Sequence, residues 1–163
     1  GCTIPALPDM GLVHVDRWAD INADDKTVGE ILAAFNRAED SLHAGDLDGL
    51  MALYSEQYHY HGLSKADLRT IWQDMLAQYE QLAGTHIFSK IQVSTSGKSP
   101  TAEIACTGSL WGISKETGKR VILDSWFYET HNMVYEDGGW RIRGHKGEGP
   151  KTLPFGVAPH PFF

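Results

Sequence analysis

A run of β-branched and aromatic residues from Arg120 to Glu136 breaks at Asp137-Gly138 and resumes at Trp140-Arg-Ile-Arg-Gly-His145. Asp-Gly between two such runs writes a two-residue hairpin turn, whose central positions need a positive φ that these residues tolerate. Opposed residues share a face of a sheet, so pairing Tyr135 with Trp140 sets Met133 against Ile142 and His131 against Gly144. One face then carries Leu123, Ser125, Phe127, Glu129, His131, Met133, Trp140 and Ile142. The other carries Asp124, Trp126, Tyr128, Thr130, Asn132, Arg141, Arg143 and His145. The first reads as core or pocket lining, the second as an amphipathic outer surface.

Upstream, a second hairpin supports the same parity. Lys115-Glu-Thr-Gly118 reads as a turn, and pairing Ser114 with Lys119 puts Leu110 opposite Leu123, Cys106 opposite Phe127 and Ala102 opposite His131. Ile87, Ser89, Ile91 and Val93 alternate with His86, Phe88, Lys90 and Gln92 before the Gly97-Lys-Ser-Pro100 turn, so the second half of the chain is a meander of strands.

The first half has helical spacing instead. Thr27-Val-Gly-Glu30 matches a capping box, followed by Val28, Ile31, Leu32, Phe35 and Leu42 to about His43, with Gly45 as the stop. Asp46 caps a short second helix with Leu47, Leu50, Met51 and Tyr54 on one face, and Tyr58-His-Tyr-His-Gly62 then alternates like a brief strand. Ser64-Lys-Ala-Asp67 starts a third helix with a stripe of Leu68, Ile71, Trp72, Met75, Leu76 and Tyr79, and Gly84 closes the helical half. The expected organisation is an irregular lead-in over 1–26, with a short strand at Leu12–Val15, one α+β domain over 27–147, and an extended Pro- and Phe-containing tail over 148–163. That tail packs on the domain or on a partner subunit.

The chain is 163 residues long, which suits one domain. Its 14 Lys plus Arg against 21 Asp plus Glu give a net charge of −7, with no basic run, so nucleic acid is not an expected partner. Two cysteines are too few for a disulfide framework, and Cys106, among strand residues, reads as a small buried group. The chain begins Gly1-Cys2, resembling a bacterial lipoprotein cut before the Cys that is acylated. Export with an anchor at Cys2 is one expectation, and a cytoplasmic protein with an arbitrary start is the other.

Three helices, the second short and leading into a brief strand, then a curved antiparallel sheet ending in Asp137-Gly-Gly-Trp-Arg-Ile142, resemble the nuclear transport factor 2-like superfamily with its SnoaL-like and ketosteroid-isomerase-like members. The matching passages are Ile31–His43, Leu50–Gly62, Ala66–Tyr79 and Trp126–Arg143. The resemblance implies a cystatin-like α+β roll, in which a strongly curved mixed or antiparallel sheet wraps the helices as a cone and leaves an apolar pocket. Members include isomerases and dehydratases as well as proteins without known activity, so fold alone does not select a function.

Such a pocket works by placing acid–base groups where desolvation moves them toward neutrality. Glu129 and His131, two apart on one strand, are the first candidates, with Glu129 orienting the imidazole or acting as base itself. His59, Tyr60 and His61 fall where ketosteroid isomerases carry their carboxylate base. This chain has no Asp or Glu between Glu56 and Asp67, so a His base, as in scytalone-dehydratase-like members, fits better, with Tyr58 and Tyr60 as hydrogen-bond donors to a developing oxyanion. Phe35 and Trp72 on the helices, and Cys106, Ser125, Phe127, Met133 and Trp140 on the strands, are the expected ligand-binding residues. No cofactor and no metal is expected, although His59-x-His61 with His131 has the residue types of a metal site. The expected partner is a small apolar or aromatic molecule, with homodimerisation through Trp126, Tyr128, Arg141 and Arg143. The functional expectation is a cofactor-independent lyase or isomerase; the alternative is a non-catalytic ligand-binding protein.

Overall fold

The computed structural model describes residues 13–145 and 162–163 and runs β1 (Val13–Asn22), α1 (Asp25–Ala44), α2 (Leu47–Met51), β2 (His59–Tyr60), β3 (Leu63–Ser64), α3 (Lys65–Gln78), β4 (Tyr79–Ser94), β5 (Thr101–Ser114), β6 (Arg120–Glu136) and β7 (Gly139–His145). Cys2 and the proline-rich part of the tail lie outside the described residues. The helices pack against a curved mixed sheet of order β1-β4-β5-β6-β7, in which only β1 runs parallel to its neighbour; β2 and β3 form a separate two-stranded ribbon.

Local signals account for most element ends. Gly45, at φ 74°, closes α1 and donates its N–H to Leu42 O. Asp46 accepts from Gly49 N to start α2, and Ser64 and Asp67 form a reciprocal capping box on α3. Asp137 and Gly138 both have positive φ, as the two-residue turn requires.

Three boundaries differ from the sequence expectation. The cap of α1 is Asp24, whose Oδ1 accepts from Thr27 N at 2.7 Å, so the helix starts before the Thr27 box and uses a stronger capping carboxylate. The expected irregular lead-in contains β1, a mostly exposed edge strand whose two segments pair with β4 around an irregularity. Few of its side chains face inward, so its period is faint. Finally, α3 passes straight into β4 at Tyr79, and Gly84 sits inside that strand rather than closing the helical half.

Bulges decide which residues point inward. The β5–β6 pairing begins as expected with Ser114 N donating to Lys119 O, then slips by one at Leu123 and again at Phe127–Tyr128, where Thr107 faces two residues. Tyr128 takes φ 52° there, and its N–H donates to Thr107 Oγ1 at 3.1 Å. Each slip reverses the side-chain parity, and two slips restore it. Cys106 is therefore opposite Glu129 and Ala102 opposite Met133, whereas Trp126, between the slips, is turned inward. A further bulge at Arg143 pairs His131 with His145 instead of Gly144.

The core lies between α1, α3 and the concave face of the sheet, around the fully buried Phe35, Trp72, Phe88, Ile104 and Met133. Rings of this size each contribute roughly 2–3 kcal/mol through burial. Trp72 Nε1 donates to Tyr54 Oη at 3.1 Å, tying α3 to the end of the α2 segment; burial pushes the Tyr54 phenol up, and it stays neutral. The segment after α2 is fastened to β7 by Ser55 N to Ile142 O and Ile142 N to Leu53 O. Gly144 permits this approach, since a Cβ there would lie 2.6 Å from His59 O.

Candidate functional site

Two buried polar centres flank the ring of Phe35, whose centroid is 5.7 Å from that of His86 and 6.3 Å from that of His131. Neither centre has bulk water to satisfy it, so each is held by side-chain partners.

The first centre links α1, β4, β5 and β6. Glu39 projects from the apolar stripe of α1 and is 3% exposed. Its Oε1 is 2.5 Å from His86 Nε2, and its Oε2 accepts from Gly84 N at 2.9 Å. Gly84 makes room for the pair, because a Cβ there would lie 2.7 Å from Glu39 Oε1 and 3.0 Å from His86 Nε2. His86 turns its Nδ1 toward Cys106 Sγ at 3.9 Å, and Trp126 Nε1 donates to the same sulfur at 3.4 Å. Gly108 lets the indole reach it: a Cβ there would meet the Thr85 carbonyl oxygen and approach Trp126 Cζ2 to 2.9 Å. Burial pushes His86 down, but the Cys106 sulfur and the Glu39 carboxylate more than offset this, and the imidazole is held up to about 9. At neutral pH it is a cation seated between a carboxylate and a sulfur.

The second centre joins the ends of β6 and β7. His131 Nδ1 and His145 Nδ1 are 2.6 Å apart, a separation that requires one nitrogen to donate and the other to accept. One proton therefore bridges the two rings. Two would set N–H against N–H, so the pair carries at most one positive charge at this contact. Glu129 Oε1 is 3.9 Å from His145 Nδ1 and offers that charge a counterion. Tyr60 packs on His145 with centroids 4.6 Å apart.

Phe163 lies between the rings of the interior. Its ring is parallel to His86 at 5.2 Å and approaches Phe35 at 6.1 Å and Trp72 at 5.8 Å. Phe162 packs on Trp72 at 4.8 Å.

Of the residues expected from sequence, the structure brings Phe35, Trp72, Cys106, Glu129, His131 and Tyr60 to this interior. His59 is exposed on the outer side of β2, and His61, at φ 50° in the β2–β3 turn, sets its ring against Tyr60 rather than against the two centres. Ser125 is exposed and Phe127 is 75% exposed, because the Phe127–Tyr128 bulge turns that part of β6 outward. Trp126, expected on the outer interface, is instead buried against Cys106 for the same reason. Arg141 reaches the Glu136 and Ala52 carbonyls, while Tyr128 and Arg143 remain on the outer surface. Met133 and Trp140 are buried and border separate surface grooves, of about 430 and 360 Å³ respectively. Among the described residues no group of three or more His, Cys, Asp or Glu is arranged to hold a metal ion.

Sequence reasoning missed Glu39, His86, Trp126 and His145. Glu39 had a signal, being an acid between Phe35 and Leu42 on the buried stripe of α1. The other three depended on bulges in β4, β6 and β7 that leave no comparable mark.

No protein-family model and no curated protein matches the sequence. Solved structures do match in fold. A conserved protein from Planctomyces limnophilus superposes with a TM-score of 0.63 at 12% identity, covering 75% of this chain and 94% of that one. A presumed aromatic ring hydroxylase from Novosphingobium aromaticivorans gives 0.58 at 13% identity, covering 76% and 89%. A presumed dehydratase of the NTF2-like family from Streptomyces avermitilis gives 0.53 at 16% identity, covering 75% and 95%. The chain has the nuclear transport factor 2-like fold.

Proposed function

We propose that this protein is a cofactor-independent enzyme of the isomerase or dehydratase type, moving a proton on a small apolar or aromatic substrate inside the cone. The observation that carries the reading is the His131–His145 pair joined through one bridging proton beside Glu129. An imidazole that accepts a proton from carbon next to a carbonyl becomes cationic. The proton from carbon goes to the other ring nitrogen of His131, the proton already bridging the two Nδ1 atoms can then move toward His145 across the 2.6 Å contact, and Glu129 stabilises the charge. The surrounding rings of Phe35 and Tyr60 exclude water and favour a planar, apolar substrate. The dehydratase names carried by neighbours of this fold agree with proton-transfer chemistry.

The test is exchange of α-hydrogens for deuterium in a panel of aryl ketones in D2O, comparing the wild type with His131→Gln. The proposal expects catalysed exchange that the variant loses. A second reading, a non-catalytic aromatic-binding protein, is favoured by one feature, the seating of Phe163 in the aromatic box. It predicts binding of an aryl compound without exchange. We also propose that two copies meet through the outer surface around the exposed Phe127, Tyr128 and Arg143; concentration-dependent sedimentation, abolished by Phe127→Glu, is the check.

A further inference from the structure

We propose that Cys106 is a nucleophile, served by His86 and Trp126, that adds reversibly to aryl-conjugated enones in the same interior. Cys106 is a free, fully buried thiol. Carboxylate, imidazole and sulfur stand in series: Glu39 Oε1 is 2.5 Å from His86 Nε2, and His86 Nδ1 is 3.9 Å from Cys106 Sγ. This is one order in which a cysteine nucleophile is activated, with the base facing the sulfur and a third group fixing the base. Trp126 Nε1 donates to the sulfur from the other side at 3.4 Å. Two N–H donors aimed at one sulfur favour its anion, and the cationic imidazole beside it acts in the same direction.

Other groups bear on the sulfur. A neutral thiol can donate to Thr107 O, 3.8 Å away, which favours the uncharged form. On β6, Glu129 is the cross-strand partner of Cys106, and its negative charge opposes a second anion; its Oε1 lies 3.9 Å from His145 Nδ1. The four N–H, imidazole and carboxylate groups on α1, β4 and β6 therefore pull in two directions. Of these, the Trp126 N–H at 3.4 Å stands closest to the sulfur, nearer than Thr107 O at 3.8 Å or His86 Nδ1 at 3.9 Å.

The class of substrate follows from softness and shape. A thiolate is a soft nucleophile, and its partner His86 is packed by Phe35, Trp126 and Phe163, while Phe88, the cross-strand partner of Cys106, packs on Phe35. An alkene conjugated to both an aryl ring and a carbonyl matches both. In the forward step the S–C bond forms at the β-carbon, the C=C π bond breaks, and the α-carbon takes the proton from His86 Nδ1, leaving a neutral imidazole. In the reverse step His86 recovers that proton and the sulfur leaves as thiolate. Rotation about the intervening single bond interconverts the cis and trans alkenes, and no oxidant, reductant or other reactant is consumed.

Two measurements decide the matter. The ultraviolet thiolate band of the wild type minus that of Cys106→Ser, at neutral pH, is expected to show one thiolate, and Trp126→Phe and His86→Gln are expected to reduce it. A difference spectrum with no thiolate overturns the proposal without requiring any variant beyond Cys106→Ser. The second measurement uses 4-phenyl-3-buten-2-one with Phe163→Ala, which uncovers His86, and follows the mass of the adduct. Addition at Cys106 is expected at least about tenfold faster than to free cysteine at the same neutral pH; an equal or lower rate overturns the proposal. The inference is separable from the proton-transfer reading, because the thiolate band is read without any substrate and His131→Gln, which loses α-deuterium exchange, leaves that band intact.

Discussion

His131 and His145 share one proton across 2.6 Å because a single bulge at Arg143 makes them direct partners on the inner face of the β6–β7 hairpin. Without that bulge His145 would point outward. The pairing is thus a property of backbone register as well as of side-chain identity, and it leads to a stability prediction. Replacing His145 by Leu removes one half of a buried polar pair and leaves His131 Nδ1 facing an apolar group. The expected cost is about 1–3 kcal/mol, read as a lower urea midpoint at unchanged m-value. The double replacement by Leu is expected to recover part of that loss.

The Glu39–His86 pair predicts a particular alkaline weakness. His86 is raised from 6.5 to about 9, so the folded protein binds the proton more tightly than the unfolded chain does. The resulting stabilisation is complete below about pH 6.5 and is lost as pH rises through about 9. Its size is on the order of 3 kcal/mol. Chemical denaturation at pH 6, 7, 8 and 9, each value roughly spanning that window, is expected to show a falling midpoint in the wild type and a flatter profile in Glu39→Gln.

Gly84→Ala tests the room that the pair needs. Its Cβ would lie 2.7 Å from Glu39 Oε1, and both pair members are buried, so the carboxylate must leave its position or the strand must shift. The expected loss is about 1–3 kcal/mol, together with a weaker alkaline transition. A Gly84→Ala protein with unchanged stability and an unchanged pH profile would contradict the geometry.

These sites also mark the limits of sequence reading. The Asp137-Gly138 turn, the Ser64–Asp67 box and the Gly45 stop were legible because each rests on a few adjacent residues and local backbone geometry. The inward placement of Glu129, His131, Met133 and Cys106 was also legible, although their partners differ from those expected, because two bulges on β6 cancel in parity. Phe127, Ser125 and Trp126 lie between or at those bulges, and their faces were reversed. His145 was lost to one extra residue on the facing strand. Bulges are compensated by tertiary contacts, here Thr107 Oγ1 accepting from Tyr128 N, and such contacts are not encoded in alternation.

The β6 bulge is itself testable. Tyr128 holds φ 52°, a conformation that Gly adopts without a Cβ penalty, so Tyr128→Gly is expected to keep the fold and stabilise the local backbone by about 1 kcal/mol, less whatever the exposed ring contributes to a dimer. Thr107→Val removes the acceptor for the Tyr128 N–H and is expected to cost about 1 kcal/mol of stability, read as a lower midpoint. Amide exchange at residue 128 is expected to accelerate in Thr107→Val and stay slow in the wild type.

The most direct test of the proposed chemistry is α-hydrogen exchange on an aryl ketone in D2O, followed by proton NMR in the wild type and His131→Gln. The account predicts exchange above the buffer rate in the wild type and a loss on the order of 10²–10⁴-fold in His131→Gln. Exchange at the buffer rate across the panel in the wild type, or equal rates in the wild type and His131→Gln, would contradict it.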